Sequence, residues 1–204
     1  MKILSIPVLV YLLTSFSLSD DNRKEQFFFE AFSAEEIIIK EIALGSKVID
    51  TVFKPNPVTI RHGNKLIVAD GEPKFSFVRP QIGYLPLLVS YTFDSISRNV
   101  KEIYYDWEFE RESKDYATKE KMWEREQGKL ETYSKEYERI KKDLILALQL
   151  SNCDSDELNK KDGANGSEYW RRECIWQLSN SEIEIYMIYA SNTIRVRVHK
   201  KMSH

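Results

Sequence analysis

The spacing of apolar residues along the chain changes period repeatedly, and each change marks an element. Ser33-Ala34-Glu35-Glu36 has the form of a capping box, in which the Ser33 hydroxyl serves an orphan amide of the first turn and Glu36 reaches back to the cap. The pattern predicts a helix starting there, with Ile38, Ile39 and Ile42 as its apolar face and Gly45 ending it in the left-handed region. The isoleucine triplet beginning at Ile37 suits a strand equally well.

From Lys47 to Glu110 the period shortens to two, in runs rich in Val, Ile, Phe and Tyr. Lys54-Pro55-Asn56-Pro57, His62-Gly63-Asn64 and Asp70-Gly71-Glu72-Pro73 interrupt these runs with turn chemistry. Leu85, Leu87, Val89, Tyr91 and Phe93 alternate on one face of a predicted strand, and Ile103, Tyr105, Trp107 and Phe109 on one face of the next, joined across Asp94 to Asn99. The opposite face of the second run carries Asp106, Glu108 and Glu110. The segment 54–60 followed by 65–70 resembles one strand pair of a propeller blade. A propeller needs at least about four blades, and the pattern has no second copy, so the family is not assigned.

Between Ser113 and Leu150 the period lengthens again. Trp123, Leu130, Tyr133, Tyr137, Ile140, Leu144 and Ala147 form one helical stripe, which predicts a long amphipathic helix. Ser113 and Asp115 suit its start, and Gly128 marks a point where it bends or divides. The stripe fits either a helix packed on the sheet or a coiled-coil seam.

The C-terminal residues predict a three-stranded meander with turns at Ser179-Asn180 and Ser191-Asn192. That register places Trp176 opposite Ile183, Cys174 opposite Ile185, Met187 opposite Val196 and Ile185 opposite Val198, giving an apolar side. The other side pairs Glu184 with His199, Glu182 with Lys201 and Tyr186 with Arg197.

Before all of these lies residues 1–19, with the pattern of a cleaved secretory leader. Met1-Lys2 supplies the charged start, Ile3 to Phe16 the apolar run and Ser17-Leu18-Ser19 a small-x-small signal ahead of Asp20. A membrane-spanning helix needs about 20 apolar residues, more than Ile3 to Leu18 provides, and Pro7 interrupts the run. Residues 20–204 are then expected to form a single α+β domain, long enough to bury a core. The full chain has 30 Lys plus Arg against 32 Asp plus Glu; without Lys2 the balance is 29 against 32, or −3. No basic excess marks a nucleic-acid or anionic-membrane binder, and membrane contact is expected only through the leader.

Cys153 and Cys174 are an even pair, and in an oxidising compartment they are expected to form a disulfide. It would close a loop of about 20 residues, a stabilisation of about 3 kcal/mol in the chain-entropy model. Asp154, Asp156, Glu157 and Asp162 superficially suggest calcium, but Leu158 and Asn159 occupy positions where an EF-hand needs an oxygen ligand and Gly. Asn165-Gly166-Ser167 is a glycosylation sequon.

Catalytic motifs are few. The chain lacks a Gly-x-Ser-x-Gly elbow, a phosphate-binding glycine loop and a Cys-x-x-Cys pair, and no cofactor is expected. Asp106, Glu108 and Glu110 form an acidic stripe that could supply an acid and base, or simply a solvated strand face. Arg195, Arg197 and His199 form a basic stripe able to meet an anion or to pair within the sheet. Phe27-Phe28-Phe29 requires either burial in the core or a contact surface.

The expected architecture is therefore α+β: antiparallel β strands, one long amphipathic helix packed on the sheet, and a C-terminal three-stranded β-meander. The expected function is an exported, secreted or envelope-located, non-enzymatic binding protein for a protein or small ligand. A carboxylate-based hydrolase and a helix-mediated oligomer are the alternatives.

Overall fold

The computed structural model describes residues 24–30, 32–52, 58–62, 65–69, 73–94, 96–109, 115–151, 153, 156–162, 168–191 and 193–202. The expected leader, Glu110, Asn165 and most of the expected turn residues between 53 and 72 lie outside them. Among the described residues the strands are β1 (Lys47–Val52), β2 (Val58–His62), β3 (Lys65–Ala69), β4 (Lys74–Arg79), β5 (Leu87–Phe93), β6 (Val100–Trp107), β7 (Asn159–Asp162), β8 (Glu168–Gln177), β9 (Ser181–Ala190) and β10 (Thr193–Met202). The helices are α1 (Ala34–Ala43), α2 (Tyr116–Glu126) and α3 (Leu130–Leu148).

The fold is mixed α+β. Antiparallel pairing joins eight strands into one sheet in the order β1-β4-β5-β6-β10-β9-β8-β7, while β2 and β3 form their own hairpin. The C-terminal register agrees with the sequence pattern: Trp176 opposes Ile183, Cys174 opposes Ile185, and Met187 and Ile185 oppose Val196 and Val198. Sequence reasoning did not foresee that β10 would also pair with β6, placing Val198 beside Tyr105 and Arg197 beside Asp106. That one pairing fuses the N-terminal strands and the meander into a continuous sheet.

The inner face collects Phe75, Phe77, Val89, Tyr91, Ile103, Tyr105, Trp107, Ile183, Ile185, Met187, Val196 and Val198, all fully buried. Helix α3 covers it with Tyr133, Tyr137, Ile140 and Leu144, so the apolar stripe is satisfied by its own sheet. Full burial of such side chains stabilises by roughly 1.5–3 kcal/mol each before entropy is charged.

Two expectations about the helices need correction. The single long helix is two, because Gly128 adopts φ +79° and breaks the ladder between Glu126 and Leu130. Tyr189 pins the break: its hydroxyl donates to the Glu126 carbonyl at 2.8 Å and accepts from the Lys129 amide at 3.0 Å. Asp115 caps α2 through the Thr118 amide, as expected of the start, whereas Ala147 is exposed and Leu148 continues the stripe instead.

Helix α1 has its capping box, with both Ser33–Glu36 bonds present, and Gly45 follows it at φ +77°. Its buried face, however, is Ala34, Ile37 and Glu41; Ile39 and Ile42 are exposed and Ile38 is half-buried. This orientation turns Glu41 inward, where it meets Arg79.

The Phe27–Phe29 segment packs against the core. Phe27 meets Tyr105 edge-on at 5.2 Å, and the Phe28 amide donates to the Tyr105 hydroxyl at 2.7 Å. Cys153, just beyond α3, is bonded to Cys174 in β8. Asp156 in the same loop receives Arg172 at 2.6 Å and also bonds Lys141. Coulombic attraction to Arg172 and Lys141 therefore holds Asp156 in place.

Candidate functional site

The acidic and basic stripes meet. Because side chains alternate across a strand, β6 and β10 each send every second residue to the outer face, and their register sets Arg197 opposite Asp106 and His199 opposite Tyr104. Arg197 grips Asp106 with Nε and with a second nitrogen at 3.1 Å. Arg195 Nε lies 3.1 Å from Glu108 Oε2. Asp106 and Glu108 are thus buried and paired with arginines, not the solvated stripe the alternation pattern allowed; Glu110 falls outside the described residues.

Around these pairs the outer face forms a row of cations and rings. The Arg197 guanidinium lies over Tyr104 and Tyr186, at 5.3 and 5.9 Å, and Arg171 lies 4.8 Å from the Tyr186 ring. Arg171 also reaches Glu184 at 3.0 Å and Glu173 at 2.5 Å. His199 stacks on Tyr104 with centroids 4.4 Å apart.

The electrostatics follow the packing. Burial lowers the affinity of Arg197 for its charge, but the Asp106 carboxylate overrides it and holds the guanidinium's pKa above its ordinary value. His199 is pushed down chiefly by burial, with Arg197 and Lys201 adding repulsion against the pull of Glu102. Burial also raises the Glu184 carboxyl, opposed by Arg171. The result is a face on which arginines, carboxylates and an imidazole are packed against one another. Among the described residues of the acidic stripe, Asp106 faces Arg197 and Glu108 faces Arg195.

A second charged constellation lies on the inner face and was missed from sequence. Arg79 is nearly fully buried; its Nε donates to Glu41 at 3.0 Å, and another nitrogen donates to the Gln26 carbonyl. The Tyr91 hydroxyl donates to the same carboxylate. Nearby, Glu25 accepts from Trp107 Nε1 at 3.1 Å and from Arg139 at 3.0 Å, while its amide donates to Asp143. Burial raises the Glu25 carboxyl, with Arg139 and Trp107 opposing. Lys24, Glu25, Leu44, Arg79 and Ile82 line a cavity of about 580 Å³ beside this cluster. A signal did exist: Arg79 continues the Phe75, Phe77 alternation, and Glu41 lies one helical turn beyond Ile37.

Among the described residues no group of three or more His, Cys, Asp or Glu side chains could hold a metal ion. Compared with known protein families, curated proteins and solved structures, the chain matches none.

Proposed function

We propose that this chain is an exported, non-enzymatic binding protein that meets a protein partner through the outer face of the sheet. The observation that carries the reading is the row Arg171, Tyr186, Arg197, Tyr104 and His199, which crosses four strands of one face. Arginine and tyrosine dominate the residues that concentrate energy at interfaces. Here carboxylates hold the arginines in place beforehand, which lowers the entropy lost on association. A carboxylate-based hydrolase would instead need two neighbouring carboxyl groups over a concave pocket, whereas Asp106 and Glu108 each face an arginine on a sheet surface.

Export rests on the leader pattern of residues 1–19. The Cys153–Cys174 bond supports it, because such bonds persist in oxidising compartments. Among the described residues no helix is long and apolar enough to cross a membrane.

Two measurements test the reading. In a secretory host the full chain should appear outside the cytoplasm with Asp20 as its first residue; retention of the intact chain inside the cell overturns export. A photo-crosslinking residue at Tyr186 or at exposed Ile175, both on the outer face, should give one adduct of defined mass in the native compartment. Exposed Leu146 on α3 serves as control. Adducts from all three positions, or from none, overturn the assigned surface.

A further inference from the structure

We propose a second site, chemically distinct from the outer sheet face: the groove between α2 and the β9–β10 turn binds an arginine side chain of a peptide together with an adjacent backbone carbonyl. The groove encloses about 550 Å³ and is lined by Tyr116, Glu120, Trp123, Glu124, Gln127 and Ser191. Tyr116, Glu120, Trp123 and Glu124 recur at three- and four-residue spacing and share one face of α2, and Gln127 is the residue that caps its C-terminal end.

Trp123 is only 7% exposed, and among the described residues its buried Nε1–H has no hydrogen-bond partner. Buried indole donors elsewhere in the chain are satisfied: Trp107 donates to Glu25 and Trp176 to the Ser151 carbonyl. An unpaired buried donor is a standing cost, removed when an acceptor arrives. The Tyr116 ring, largely exposed, stands edge-on to Trp123 at 6.0 Å. Glu120 and Glu124 are exposed one turn apart, and among the described residues neither is in an ion pair.

The rest of the molecule shows which chemistry such a groove suits. A guanidinium repeatedly lies over a tyrosine ring and is held by a carboxylate, as with Arg171 over Tyr186 and Glu184, Arg197 over Tyr186 and Asp106, Arg172 over Tyr137 and Asp156, and Arg79 over Tyr105 and Glu41. Among the described residues the α2 groove has the rings and the carboxylates, and no cation is paired with them. Two carboxylates one turn apart suit the planar fork of arginine, which also stacks on aromatic faces. A carbonyl beside it would accept from Trp123 Nε1, and a peptide backbone presents that pair of groups.

Titration of the isotope-labelled, disulfide-bonded protein with N-acetyl-arginine amide, followed through the indole N–H resonances, tests the assignment. The Trp123 signal, identified by its loss in W123F, should move saturably while the other indole signals stay. The double variant E120Q/E124Q should bind at least about tenfold more weakly with its other indole signals unchanged. N-acetyl-citrulline amide, similar in shape but uncharged, should also bind at least about tenfold more weakly. No saturable movement of the Trp123 signal, equal binding by E120Q/E124Q, or equal binding of the citrulline probe overturns the proposal. Neither result bears on the outer-face reading, whose crosslinking positions lie on β8 and β9.

Discussion

Replacing Arg79 with Met should destabilise the protein severely, and replacing its partner at the same time should restore much of the loss. Arg79 is 5% exposed and Glu41 is fully buried. The guanidinium bonds both oxygens of that carboxylate, at 3.0 Å and 2.5 Å, bonds the Gln26 carbonyl, and packs on the rings of Phe28 and Tyr105 at 5.0 and 5.2 Å. It therefore ties the N-terminal segment, α1 and the inner sheet face at one point. Burial disfavours its charge, but Glu41 keeps the guanidinium's pKa above its ordinary value. Among the described residues, the Glu41 carboxylate without Arg79 retains the Tyr91 hydroxyl and the Ser46 hydroxyl, at 2.6 Å, as side-chain donors. Breaking a buried pair from one side costs about 3–5 kcal/mol, a large share of the roughly 5–15 kcal/mol that holds a domain together. With a urea m-value of about 2 kcal/mol/M, the midpoint should fall by roughly 1.5–2.5 M. The double variant R79M/E41L leaves no uncompensated charge, and its loss should be at least about 2 kcal/mol smaller than the sum of the two single losses. Urea unfolding followed by tryptophan fluorescence measures all four proteins. A single-variant loss under about 1 kcal/mol, or strictly additive losses, would refute the coupling.

Three further outcomes are expected. Gly128→Ala should cost about 1 kcal/mol, because φ +79° strains a residue with a Cβ although that Cβ would meet nothing within 4 Å; a gain in stability would mean that α2 and α3 are one continuous helix in solution. The Glu25 carboxyl is raised in the folded state by burial, against Arg139 and Trp107. Its contribution is therefore complete below the ordinary glutamate range and lost as pH rises through its folded value. Between about pH 4 and about pH 7 the stability of the parent relative to Glu25→Gln should fall; a difference that does not vary with pH would contradict this. The native protein should show no free thiol, and the double variant C153S/C174S should lose about 3 kcal/mol of stability. An unchanged urea midpoint would show that the bond constrains nothing in the unfolded chain.

Legibility from sequence tracked the range of the interactions involved. The β8–β9–β10 register was readable because two turns fix it and cross-strand pairs repeat at period two, and the observed pairs agree residue by residue. The capping box and Gly45 were readable because both act within a few residues of their own position. The face of α1 was misread because hydrophobicity alone ranks Ile39 and Ile42 above Glu41, and nothing local announces that Arg79, far along the chain, neutralises Glu41. The α2 groove was equally hidden: Trp123 reads as one more member of an apolar stripe, and only the packing shows its Nε1–H unpaired.

Strand alternation, the starts of α1 and α2, the weak point at Gly128 and the cysteine pair were legible without any fold, because local sterics, short-range hydrogen bonding or simple arithmetic set them. Tertiary structure alone decided that β10 lies beside β6. From that pairing follow the burial of Asp106, its capture by Arg197 and the merging of two separate charge stripes into one face. Such pairings join residues some ninety positions apart, and at that distance period and propensity carry no information. The choice there rests on which surfaces exclude water best and which buried charges find a counter-charge.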